Sequence, residues 1–352
     1  MATHTMAPVV RAARGHVHTP KRPYLPLPHG RRHPTTMVEL ITVVGLTSGV
    51  ANIIMQLSLP PVGHGVNESR VASGSPRRYP MKRSRTTGTY LSVALLGTQE
   101  EKDDLRKHIV EMHTPVVSTP ESPVRYSGNS PELQLWVAAC LFRFYLDQYQ
   151  LLYGELPEAD LDVLTRAAEP LATGVNVRPS QWPQSWAEFT EYWDTVVPNL
   201  SIAPAVRQDF ETLSNLEFVL EAWGPVGKAF PAILGNHFEF MTKGNLPPEF
   251  RELMGWEWSE GAQKKFDRTL RRMRTFDQLG GRYLALGLVW SYMIDYRIRR
   301  RLDVPVLGKL RVSDLPVKDG GGLRTIARLT SRKSARKATT EKATRKSSGC
   351  PF

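Results

Sequence analysis

The chain has 352 residues, two cysteines and a net charge of +12. That length allows one large domain or two small ones, and two cysteines exclude a disulfide framework, which fits a reducing compartment. The charge sits at the ends: residues 1–36 hold six Lys/Arg and no acid, residues 324–352 hold nine Lys/Arg against Glu341, and 37–323 sum to −2.

Residues 1–36 are rich in Pro, His and Arg without any period and read as a disordered basic arm. Five of the nine histidines lie there, His4, His16, His18, His29 and His33, at spacings that match no metal template. No apolar core with a small-residue cleavage site is evident, so no secretory signal is expected and the location reads as cytoplasmic. The most apolar window, 37–59, is long enough to span a bilayer. Glu39, Asn52 and Gln56 are expensive in hydrocarbon, so a buried helix over 36–59, stopped by Pro60 and Pro61, is the better reading. Peripheral contact with a membrane surface stays open. VGHGVNESR at 62–70 is expected to begin as a glycine-punctuated turn, and 73–80 as a loop.

A helix pair follows at 81–96 and 99–112, with Gly97 as a stop and Thr98 as an N-cap. Arg83, Thr87 and Tyr90 recur at i, i+4 and i+7, which stacks them on one face of the first helix. The second ends at His113, just before Pro115. Ser130 and Pro131 then open a helix whose stripe of Leu133, Trp136, Val137, Cys140, Leu141, Phe144 and Tyr145 marks a core element ending at Gly154. Helical patterns recur at 157–172, 183–196, 204–213, 215–223, 226–242, 247–253, 259–276 and 278–303. No segment alternates with a period of two, and nothing repeats every 20–50 residues. The expectation is one all-α globular domain over 37–303, a linker at 304–323 and a disordered basic tail at 324–352.

Four histidines lie in the body: His64, His108, His113 and His237. None has a glutamate three residues before it, so the di-iron bundle pattern is absent. There is no H-E-x-x-H, CxxC, Walker loop, dinucleotide fingerprint or G-x-S-x-G elbow. His108 and His113 stand about 140° apart around a helix and share no face. A single strong-field ligand suits haem iron better than a protein-only metal cage. His113 is the candidate, with Met112, Val116 and Val117 as apolar surroundings, although a histidine in that position is more often structural. Arg83 and Arg85 are candidates for haem propionates, against the alternative of solvated helix arginines. Thr87 and Tyr90 are candidates for bonding a distal oxygen, against ordinary helix packing.

Several short motifs occur in a fixed order: VGHGVNES at 62–69, R-x-x-x-T-x-x-Y at Arg83, Thr87 and Tyr90, and V-x-x-H-x-x-V at Val110, His113 and Val116. They continue through YSGNSPELQLWVAACL at 126–141, the WP and F-x-x-YW of 182–193, and LPPEFRELMGWEWS at 246–259. In these the chain resembles the haem-dependent oxygenases that include the latex-clearing protein, a rubber oxygenase, and MpaB. The resemblance implies an all-α fold and a b-type haem whose iron is held by His113, with Arg83 and Thr87 in the haem-pocket motif. It also implies dioxygen as co-substrate, an isoprenoid-type or other hydrophobic substrate and an electron donor. The chain departs from the latex-clearing branch at Thr86, where that branch has a lysine able to reach the iron, and at Val110, where it has an arginine. SGNSPE at 127–132 also lacks the acidic residue that commonly precedes the proline. Tyr90 and Trp136 are guesses for the pocket wall. Two rival readings remain: basic tails that contact nucleic acid non-specifically, and a haem-free helical protein whose tail sits on anionic lipid.

Overall fold

The computed structural model describes residues 33–71, 80–217, 234–310 and 312. The basic arm as far as residue 32, most of the 73–80 loop, residues 218–233 and the tail lie outside the described residues. Within them the protein is all-α, as one domain, and the only β pairing is two isolated bridges, Val71–Val312 and Val117–Ser127.

The helices, in chain order, are α1 (Gly49–Leu57), α2 (Pro60–Asn67), α3 (Pro80–Leu96), α4 (Gln99–His113), α5 (Pro131–Tyr153), α6 (Glu158–Ala167) and α7 (Pro170–Thr173). They continue as α8 (Trp186–Val196), α9 (Pro204–Ser214), α10 (Asn236–Asn245), α11 (Pro248–Leu253), α12 (Glu260–Phe276) and α13 (Arg282–Arg301). Between α12 and α13 lies a π-turn, Asp277–Gly281, in which Gly280 takes φ 114°, a conformation that only glycine adopts without strain.

Helix α5 is buried around almost its whole circumference, and the rest of the fold is arranged around it. Ser130 caps it through the Leu133 N–H, with Pro131 at its first turn. Phe142 meets Phe189 edge-on at 5.0 Å, and Trp136 lies 5.0 Å from Trp193. Trp136 also donates its indole N–H to the Gln56 carbonyl at 3.1 Å and is fully buried. It is a core aromatic and not part of a pocket wall, which corrects the expectation for it.

The single helix expected over 36–59 does not form. Two 3₁₀ turns, Met37–Leu40 and Val43–Leu46, precede the short α1. Thr47 and Ser48 each return a hydroxyl to the Val44 carbonyl, at 3.0 and 2.7 Å, competing with a helical backbone bond there. The Val43 N–H goes to the buried Asp277 carboxylate at 2.7 Å, a partner distant in sequence. The segment read as a turn at 62–70 is instead mostly α2, because the two prolines stand at its first turn, where they start a helix.

Helix α13 packs on α3 through small residues. A methyl group on Gly88 would come within 2.3 Å of the Tyr292 ring. Four residues to either side, Ser92 donates to the Val289 carbonyl at 2.8 Å, and Ser84 lies 3.3 Å from the Tyr292 hydroxyl. The far end of α13 is tied to α4 by Arg297, which holds both oxygens of Glu101 at 2.8 and 3.1 Å. The stretch read as a linker from 304 is described to residue 310, and there Val306 and Leu307 pack with Val93, Leu105 and Ile109.

Candidate functional site

A cavity of about 240 Å³ opens between α2, α3, α4 and α5, closed by the 126–128 segment, Val175 and Leu307. Its walls are mostly aliphatic, and Arg83, Thr87, Tyr90 and His113 all line it. The two halves of the helix pair therefore bring their polar residues to one space.

Each wall has a local cause. Helix α4 is capped by reciprocal bonds: the Glu101 N–H donates to the Thr98 hydroxyl at 3.3 Å, and the Thr98 N–H donates to the Glu101 carboxylate at 2.9 Å. At its other end the Val110 carbonyl accepts from Asn129 at 3.0 Å and from the Thr114 hydroxyl at 2.8 Å. Gly128 then passes so close beneath that an added Cβ would stand 3.0 Å from the His113 carbonyl oxygen and 3.0 Å from Cβ of Val116. These contacts fix His113 on the last turn of α4.

The His113 ring meets Gln134 of α5, with 3.3 Å between Nδ1 and the amide nitrogen. That amide is oriented from both sides: its nitrogen donates to Gly128 at 2.7 Å and its oxygen accepts the Asn176 N–H at 2.5 Å. The Gln134–His113 contact is long for a hydrogen bond and leaves the tautomer open. Among the described residues Nε2 has no hydrogen-bond partner. Burial, with Arg83 close by, lowers the His113 pKa to about 4. The imidazole is therefore neutral at physiological pH, the state in which histidine binds a metal.

The Arg83 guanidinium has no hydrogen bond or ion pair among the described residues, and burial lowers its pKa. Its side chain keeps some accessible surface because it faces the cavity, although protein surrounds it. A guanidinium left without an anion inside a protein is costly. Of the groups lining the cavity, this guanidinium most needs an anionic ligand. Arg85 differs. It bonds the Val306 carbonyl at 2.9 Å and Asp295 at 3.3 Å, on the side away from the cavity, so it is not placed to meet a propionate there.

Tyr90 lines the cavity with its ring, but its hydroxyl donates to the Leu171 carbonyl. Its proton is thus already engaged, and burial raises its pKa. The Thr87 hydroxyl has no such bond among the described residues. Thr86, also on the wall, turns its hydroxyl back to the Arg83 carbonyl at 3.1 Å.

Helix α2 forms the opposite wall with Pro61, Val62, Gly65 and Val66. Gly65 admits the Tyr126 ring to 3.4 Å of where a Cβ would be. Glu68 accepts from Ser122 at 2.6 Å and from Tyr126 at 2.9 Å, and its other oxygen lies 2.7 Å from His64. The motif GHGVNES is thereby a clamp that holds the 118–129 loop over the cavity. His64 serves that clamp, and His108 bonds the Asp104 carbonyl at 2.9 Å within its own helix. Among the described residues no three His, Cys, Asp or Glu side chains converge as a metal-binding group.

Sequence reasoning did not single out Gln134, Tyr126, Val175 or Leu307. Gln134 and Tyr126 lie within the quoted 126–141 motif, whereas Val175 and Leu307 carry no local signal at all.

Residues 39–275 match the family model described as "ER-bound oxygenase mpaB/B'/Rubber oxygenase, catalytic domain". The chain is 39% identical over 251 residues to "Uncharacterized protein Mb2261" of Mycobacterium bovis (strain ATCC BAA-935 / AF2122/97), covering 71% of this chain and 96% of that protein. The same figures hold for "Uncharacterized protein Rv2237" of Mycobacterium tuberculosis (strain ATCC 25618 / H37Rv). No solved structure matches. The family model spans most of the described fold, and the chain belongs to the mpaB and rubber oxygenase catalytic-domain family.

Proposed function

We propose that this protein is a haem b-dependent oxygenase acting on a hydrophobic substrate, isoprenoid-type or other, in which His113 would hold the iron. The observation that carries the reading is the pairing, on one apolar cavity, of a neutral buried imidazole with a guanidinium that meets no anion among the described residues. The residues fit the group: His113 would hold iron through Nε2, and Arg83 would meet an acid group of the porphyrin. When bound, the haem supplies the dioxygen chemistry.

The chain's own part is to bind, orient and exclude water. The aliphatic side chains of α2, α4 and α5 keep the cavity dry and receive a hydrophobic molecule. Thr87 offers a hydroxyl to orient a polar atom of dioxygen or substrate. Tyr90 contributes its ring, since its hydroxyl is committed to Leu171. Without a lysine at position 86, no amine reaches the cavity from that turn of α3.

The test is an absorption spectrum of protein produced with haem precursor, beside His113→Ala, with pyridine haemochrome quantification. The wild type should show a Soret band and His113→Ala should lose it or shift it. Equal haem content and identical spectra would remove His113 from the iron. Arg83→Leu should retain haem less well, and unchanged retention would remove Arg83 from the site.

A further inference from the structure

Helix α13 is apolar on two sides. Its inner side places Ala285, Met293 and Tyr296 in the core, and Tyr292 lies over Gly88. At about 100° per residue, Tyr283, Leu284, Leu288, Trp290, Ile294 and Ile298 fall within an outward arc of roughly 160°. These six side chains are 71, 60, 44, 46, 54 and 50% exposed. The other residues on that arc are Gly287, Ser291, Asp295, Arg301 and Leu302, and its one acid, Asp295, is neutralised by Arg85 and Arg299. The stripe runs roughly 29 Å from Tyr283 to Leu302, and Leu279 on the π-turn, 82% exposed, extends it. An apolar strip of this length on a folded surface marks an interaction site.

Charge decides between occupants. A second copy would present a body that sums to only −2 and would leave the basic C-terminal segment without a matching counter-charge. The stripe ends instead at Arg301, and the sequence then supplies nine Lys/Arg against one acid over 324–352, which complements an anionic surface. Aliphatic residues with Trp and Tyr on one face, and a polybasic segment after it, are the two contacts that together hold a protein on a bilayer. No helix among the described residues is long and apolar enough to cross a membrane, and the inner side of α13 is occupied by α3. An apolar face of this kind on a helix packed along its other side suits the interface plane of a bilayer. Helix α13 starts after residue 275, beyond the span that matches the catalytic-domain family.

We propose that the outward face of α13 is a lipid-docking surface for a bilayer with anionic headgroups. Helix α3 lies between this face and the cavity, so docking brings the cavity close to a reservoir of hydrophobic molecules. The docking itself does not depend on haem.

The test is flotation of the full chain with phosphatidylcholine vesicles, with and without phosphatidylglycerol, at low and high salt. The protein should float with the anionic vesicles, and less so as salt rises. Replacing a membrane-inserted isoleucine by a charge removes its burial, so Ile294→Asp should bind at least about tenfold more weakly. Its helical circular dichroism should be unchanged. Val163→Asp, on the exposed side of α6, is the control and should bind like the wild type. Deleting 324–352 should lower affinity and remove most of the salt dependence. Three results would overturn the proposal: no vesicle binding by the wild type, equal binding by Ile294→Asp, or a wild-type dimer in solution that Ile294→Asp dissociates. The second would assign any binding to the tail alone, and the third would give the face to a second copy.

Discussion

Replacing Gly88 by alanine sets two effects of known size against each other. Alanine in a helix interior is favoured over glycine by about 1 kcal/mol, so a surface site would gain stability. At Gly88 the new Cβ would stand 2.3, 2.5 and 2.7 Å from three atoms of the Tyr292 ring. The ring must swing aside and leave Ser84, or α13 must lift from α3 and stretch the 2.8 Å bond from Ser92 to Val289. Overpacking of this kind costs roughly 1–3 kcal/mol and more where a helix must move. The net expectation is a loss of about 1 kcal/mol or more, read from urea unfolding followed by circular dichroism. In a Tyr292→Ala background the obstruction is gone, and the same substitution should stabilise by about 0.5–1 kcal/mol. A change of sign between the two backgrounds is a coupling of about 2 kcal/mol in the double-mutant cycle. If Gly88→Ala is as stable as the wild type with Tyr292 in place, close α3–α13 packing is not what that glycine serves. Because α3 also carries Arg83 and Thr87, the clash should reach the cavity as weaker haem retention.

Arg83→Leu should act in opposite directions on the two forms: the haem-free protein gains on the order of 1 kcal/mol by losing an uncompensated buried charge, while haem retention falls. Thermal melts with and without hemin would show both, and destabilisation of the haem-free form would mean that Arg83 has an anionic partner. His113, with a pKa lowered from 6.5 to about 4, should make the haem-free protein lose stability as pH falls. The unfolded chain takes up a proton near pH 6.5 that the folded one refuses until about pH 4. The contribution is complete above pH 6.5 and lost by pH 4, and His113→Ala should flatten that part of the pH profile. Glu68 behaves as the opposite charge type. Burial alone would raise its pKa, but bonds from Ser122, His64 and Tyr126 outweigh burial and hold it below 4.5. Its stabilisation is present above pH 4.5 and lost on further acidification. Glu68→Leu should cost roughly 1–3 kcal/mol by leaving those donors unpaired, and proteolysis within 118–129 should quicken.

Much of the cavity's polar content was legible because it is local. Arg83, Thr87 and Tyr90 share a face by helical spacing, and His113 sits on the last turn of a helix whose N-cap, Thr98, and whose terminating Pro115 can both be read directly. Where each hydroxyl or guanidinium spends its hydrogen bonds was not legible. Tyr90 gives its proton to Leu171 and Arg85 goes to Asp295 and Val306, partners about 80 and 210–220 residues away. The first segment was misread for the same reason, since its helix is interrupted where Val43 bonds Asp277.

The chain's own order of residues thus determined the helical class, the capped helix pair and the separation of charge into the two ends, because periodicity and caps act within a few residues. Tertiary structure alone decided that Gln134 meets His113, that Glu68 clamps a loop over the cavity, and that one side of α13 stays uncovered. Those outcomes depend on which side chains from distant parts of the chain share one dry space, and such groups must find partners there or go without.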